Sequence, residues 1–285
     1  MANYIIGLDF GTYQTKVCVN HLDSTPQQHE FFQFEVDGKE SFFMPSKVYL
    51  LKNNKFRYGL YKGGDIDKEF NYFKIASAED TRFQTVSNLD RSIYNQNDNF
   101  SLIPPEFLSV VFITHVLLKV RNHYNKQLQS GRNTGIRGLF NRLQRVQDET
   151  NTFSIRLGIP TEYSKEVNLL RRRKFETILL ISEMLQKRIG YSEEIFLGLG
   201  RYDFEGEIEA ILKEINHFNS DLETVLNEQF KISVYPESAA GLLYFSKSGK
   251  LETGLYASID IGGGTSDISF FNVQKDKKIL LKFRR

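Results

Sequence analysis

Two stretches near opposite ends of the chain share one outline: "IIGLDFGTYQTKVCV" from Ile5 to Val19, and "SIDIGGGTSDISFF" from Ser258 to Phe271. In each, an apolar strand-like run ends at an aspartate, a glycine-containing turn follows, and a second strand-like run begins. Glycine has no Cβ, so neighbouring backbone N–H groups can come close to a ligand and point the same way. Such a cluster cradles an anion, most readily a phosphate. Asp9 and Asp260 close the first strand of each hairpin. A carboxylate beside a phosphate is repulsive alone, but it is favourable when a hard divalent cation, usually Mg²⁺, sits between them. Thr12 and Thr265 add hydroxyls that can bond phosphate oxygens. One such turn is ordinarily only a turn. Two of them, facing each other across a cleft, would hold a polyphosphate from both sides. Neither matches the dinucleotide-binding glycine fingerprint or the glycine loop that ends in Lys-Ser/Thr.

Composition narrows the class. The chain has 285 residues, of which 40% are hydrophobic, enough for real cores and roughly two domains. A formal net charge of +2 supplies no general field to steer nucleic acid or membrane, so neither is expected as a partner. The single cysteine, Cys18, cannot form an internal disulfide, which suits a reducing, cytoplasmic location. The start "MANYIIGLDFG" lacks a basic leader, and no run of about 18 apolar residues reads as a spanning helix.

Along the chain, "FFQFEVDG" (Phe31–Gly38) alternates like a further strand, and "MPSKVYLL" and "KFRYGLY" read as strands of a meander. Residues 53–102 turn polar and irregular. The periodicity predicts a long helix from about Pro105 to Tyr124, with prolines at its start. "FSIRLGIP" (Phe153–Pro160) reads as a buried strand. A helix follows, with Ser164 at its N-cap and Gly190 just past its end. Apolar positions from Ile208 to Leu226 trace one stripe of a helix over 205–230, with an acidic opposite face. "KISVY" reads as a strand, "PESAAGLLYF" as the opening of a helix, and Lys278–Phe283 as a third strand after the second hairpin. Strands alternate with helices, so the class is α/β.

The two hairpins resemble the phosphate motifs of the actin/Hsp70/sugar-kinase ATPase superfamily. Further stretches resemble its Hsp70 branch in matching order: "MPSKVYL" with "RYGLYKGGD", "FNYFKIASAED", "LGIPTEYS" and "YPESAAGLLYF". The resemblance implies a ribonuclease H-like, actin-like ATPase fold of mixed sheets flanked by helices. Residues 1–38 and 103–250 would form a first lobe, with insertions at about 125–152 and 190–230. Residues 39–102 would form a small decorating subdomain, and 251–285 the start of a truncated second lobe. It further implies ATP/ADP and Mg²⁺ as ligands. Asp9, Asp260 and Asp267 would serve the ion. Gly11, Thr12, Tyr13, Gly262, Gly263, Gly264 and Thr265 would contact phosphates. Lys74 would stabilise the transferred γ-phosphoryl group, and Glu237 or Asp260 would orient the attacking water. Phosphoryl transfer asks mainly for positioning and charge neutralisation, which suits these residue types. Tyr13-Gln14 departs from the usual small-then-aromatic pair, Ser266 replaces an aromatic, and Glu237 follows Pro236 where the family places the glutamate before proline.

The expected activity is Mg-ATP binding and hydrolysis by a chaperone-type ATPase domain, here an N-terminal fragment that binds nucleotide weakly or not at all. Protein clients or co-chaperones would engage regions beyond residue 285. The rival readings are an actin-like filament-forming ATPase, a sugar or metabolite kinase, and an interaction module that keeps only the fold. Other conspicuous features have plainer readings. A lone lysine such as Lys74 is ordinarily a solvated surface charge. The "RRRK" of Arg171–Lys174 reads as a solvated helix face and the basic 132–145 stretch as an exposed insertion. His115 and His123 show no metal-ligand spacing.

Overall fold

The computed structural model describes residues 2–26, 28–78, 103–131, 151–164, 168–216, 224–237, 252–261, 266–273 and 279–282. Its main sheet is built on the first hairpin. Strand β1 (Asn3–Phe10) buries Tyr4, Ile6, Leu8 and Phe10, and β2 (Gln14–His21) buries Thr15, Val17 and Val19. This is the period-2 pattern of a strand whose one face is fully covered. β2 pairs antiparallel with β1, and β3 (Gln28–Phe31) antiparallel with β2. On the other side β10 (Thr152–Ile159) runs parallel to β1, and β11 (Ile232–Pro236) parallel to β10. The order β11-β10-β1-β2-β3, with the short β6 (Met44–Pro45) on β2, makes a mixed sheet.

Helices cover it. α1 (Phe73–Ala78) is short, whereas α2 (Pro105–Gly131) carries buried Leu108, Val111, Phe112, Ile113, Val116 and Leu117 almost all round. A helix apolar on every side is an interior helix. It packs on α3 (Leu169–Arg188) through a buried polar cluster: Arg121 pairs with Glu183 at 2.9 Å and bonds Gln186 at 3.1 Å. β4 (Phe34–Val36) and β5 (Lys39–Ser41) form a separate hairpin. β7 (Val48–Leu51), β8 (Phe56–Tyr58) and β9 (Ile66–Phe70) form a small sheet of their own. Helices α4 (Glu193–Gly198) and α5 (Arg201–Ile215) join the same core, where Phe196 and Phe204 lie fully buried beside Phe56. A further sheet holds β12 (Gly254–Ile261), β13 (Ser266–Val273) and β14 (Ile279–Lys282). The architecture is mixed α/β, a mixed sheet with flanking helices, as the resemblance implies.

Several local expectations change. Phe31–Gly38 is two strands, because residues 28–31 pair with β2 while residues 34–36 pair with β5. Ser164 ends a short 3₁₀ turn (Thr161–Ser164), and α3 begins at Leu169 after Asn168. β8 falls within "KFRYGLY" as expected, whereas the polar stretch after it still holds β9 and α1, ordered by burial of Phe70 and Phe73. The long stripe is a helix ending at Ile215 and a π-helical turn at Val225–Phe230, with 217–223 outside the described residues. Gly190 does stand just past α3, at φ 61°, where a residue with a Cβ would be strained. Among the described residues no helix is long and apolar enough to cross a membrane.

Candidate functional site

The parallel strands β1, β10 and β11 end at one edge of the sheet: Leu8 stands opposite Leu157, and Ile159 opposite Pro236. Open α/β sheets hold their ligands outside such carboxyl ends. Of the anticipated site residues, Asp9 is the penultimate residue of β1, and Gly11, Thr12 and Tyr13 follow the strand directly. Glu237 follows β11, and Lys74 is the second residue of α1.

The turn after β1 is constructed around Gly11. Its N–H donates to the Asp9 carbonyl at 3.2 Å, and a Cβ there would stand 2.1 Å from the Gln14 carbonyl oxygen, so only glycine fits. Ser46, the residue after β6, pins the turn: its Oγ donates to the Gly11 carbonyl at 2.7 Å, and its N–H donates to the Tyr13 carbonyl at 2.8 Å. Because the Ser46 proton is used, the Thr15 hydroxyl is the donor in their 3.0 Å contact. The turn's carbonyls are thus tied down. Among the described residues, the Thr12 and Tyr13 N–H groups have no protein acceptor. Unpaired N–H groups at a tight turn are what an anion cradle requires. Thr12 itself is buried, while the Tyr13 ring is half exposed and meets Tyr72 edge-on at 5.1 Å.

Asp9 faces Lys16 across the ladder, with 3.1 Å between carboxylate and ammonium, both about half exposed. Lys74 is not a solvated lysine: it is 7% exposed, its Nζ donates to Glu237 Oε1 at 2.9 Å and lies 6.0 Å from the Phe10 ring centre. Glu237 in turn lies over Gly158, where a Cβ would come within 3.0 Å of its Cγ and 3.6 Å of the Leu8 carbonyl. A glycine at 158 lets that carboxylate approach the end of β1.

The second hairpin is present as β12 and β13, and Asp260 and Asp267 hold directly opposed ladder positions. Gly262, Gly263, Gly264 and Thr265 lie outside the described residues, as do the side chains of Asp260 and Asp267. Among the described residues no three His, Cys, Asp or Glu side chains gather into a metal-sized group. Sequence reasoning assigned no role to Ser46, Lys16 or Tyr72. Ser46 stands in the quoted "MPSKVYL", so a signal was there; nothing in the sequence marks Tyr72.

No protein-family model and no curated protein matches the chain. Among solved structures, 98% of the chain aligns with 61% of a pCBH ParM non-polymerisable quadruple mutant, at 15% identity and TM-score 0.30. It also aligns over 99% of its length with 62% of a ParM chain from a 15-stranded filament of Clostridium botulinum, at 14% identity and TM-score 0.33. The chain therefore spans about three fifths of the length of these structures. Neither structure is of the Hsp70 branch, and that finer assignment gains no support.

Proposed function

We propose that this chain supplies one wall of an Mg-nucleotide site in an actin-like ATPase. The observation that carries the reading is the Lys74–Glu237 pair, buried at the edge where β1, β10 and β11 end. The turn at Gly11 leads out of that same edge, and its Thr12 and Tyr13 N–H groups, without an acceptor among the described residues, are offered to phosphate oxygens. Lys74 is placed to meet a terminal phosphoryl group, and Glu237 to accept a proton from, or orient, a water beside it. Asp9 fits an outer partner of Mg²⁺, since its carboxylate is half exposed and needs only to release Lys16. Two acidic residues opposed at 260 and 267 are mutually destabilising in an antiparallel pair unless a cation lies between them. That supports the assignment of Asp260 and Asp267 to the ion. Bound Mg²⁺ would neutralise charge building up on the phosphoryl oxygens.

ATP turnover by the full-length protein tests this. Lys74→Ala is expected to lower kcat by about 100-fold, the scale for removing one charge-stabilising donor, with a smaller change in Mg-ADP affinity. Unchanged turnover would contradict the role. ATP-dependent light scattering then separates a filament-forming actin-like protein from a chaperone-type ATPase.

A further inference from the structure

Tyr72 joins the turn after β1 to the helix that carries Lys74. Its φ is 60°, in the left-handed region. For an aromatic residue this costs roughly 1–3 kcal/mol and persists only where surrounding contacts enforce it. Two contacts do so. The Tyr72 carbonyl accepts the Ala76 N–H at 3.1 Å, opening α1. Its ring meets Tyr13 at 5.1 Å and 88°, an edge-to-face pair. The Tyr13 hydroxyl also holds the Tyr72 hydroxyl above its ordinary pKa range.

The left-handed corner decides where the next two side chains go. Phe73 enters the core against Phe10 at 5.9 Å and Phe112 at 5.5 Å, and Lys74 reaches Glu237. Tyr13 takes part twice: its N–H has no acceptor among the described residues, and its ring meets Tyr72. We propose that Tyr72 is a positioning residue which, through its edge-to-face contact with Tyr13, keeps Lys74 in register with the phosphate turn. The proposal rests on the nucleotide reading above. Without the ring contact nothing ties the corner to the turn that holds Tyr13, and α1 is free to swing Lys74 off its place. A misplacement of about 1 Å at a reacting group can cost on the order of 100-fold in rate.

The test uses single-turnover ATP hydrolysis and Mg-ADP affinity of the full-length protein, with Tyr72→Phe and Tyr72→Gly made in wild-type and Lys74→Ala backgrounds. Glycine accepts the left-handed corner without strain, so the fold is kept while the ring is lost. Tyr72→Phe is expected to stay within about twofold of wild type, and Tyr72→Gly to lose about tenfold or more in rate with Mg-ADP affinity nearly unchanged. In the Lys74→Ala background Tyr72→Gly is expected to cost nothing further. An unchanged rate in Tyr72→Gly, a loss repeated in full without Lys74, or a parallel loss of Mg-ADP affinity overturns the positioning role alone. A wild-type protein that neither binds nor hydrolyses nucleotide overturns the nucleotide reading, and this role with it.

Discussion

Lys74 and Glu237, 163 residues apart in sequence, form a 2.9 Å ion pair at the edge where three parallel strands end. The contact ties the small helix α1 to the residue that follows β11. It keeps a buried ammonium from standing alone, which in a water-poor site costs several kcal/mol. It also sets that ammonium 6.0 Å from the ring centre of Phe10, the last residue of β1 before the turn.

The pair sets a stability prediction. Glu237→Ala strands the Lys74 charge and is expected to destabilise the fold by about 3 kcal/mol, somewhat less where water reaches the glutamate. Replacing both residues by methionine is expected to cost less than Glu237→Ala alone. Urea denaturation of the variants checks the order.

The turn sets another. Ser46→Ala removes the proton held by the Gly11 carbonyl and the acceptor of the Thr15 hydroxyl. The expected loss is about 1–3 kcal/mol, read by denaturation, together with weaker Mg-nucleotide affinity because the N–H groups are no longer held in place. Gly11→Ala is expected to be worse in both respects, since its Cβ would meet the Gln14 carbonyl at 2.1 Å.

A third prediction concerns acid. His115, on α2, is 4% exposed, stacks on Tyr58 at 4.4 Å and on Phe196 at 5.9 Å, and leaves its Nδ1 without a partner among the described residues. Burial first, then the charges of Lys119 and Arg57, hold its pKa well below 6.5. The unfolded chain therefore binds a proton that the folded chain refuses as pH falls below 6.5, so His115 makes folding less favourable there and stability rises with pH through that window. His115→Phe is expected to flatten that slope of stability against pH; an unaltered slope would contradict the assignment.

Much of this site could be read from residue order because its parts are local. A strand ending in Asp-x-Gly-Thr specifies its own hairpin, and β1 and β2 form it as antiparallel neighbours. Lys74 and Glu237 were each legible only through resemblance; their pairing is tertiary and has no local signature. Phe31–Gly38 alternates throughout, yet each half finds a different partner strand, which no periodicity reveals. The stretch that holds β9 and α1 reads as irregular because both elements are short and set among polar residues, and the buried Phe70 and Phe73 carry the order. Tyr72 was invisible for a related reason: a left-handed aromatic exists only because Tyr13 and α1 enforce it.

The most direct measurement is a calorimetric titration of Mg-ATP into the full-length protein and into its Asp9→Asn/Asp260→Asn variant, each with and without Mg²⁺. Saturable binding by the wild type that weakens at least about tenfold without Mg²⁺ or in the variant is the predicted result. Binding of equal strength in all four titrations, or none in any, would contradict a nucleotide site built on these two hairpins.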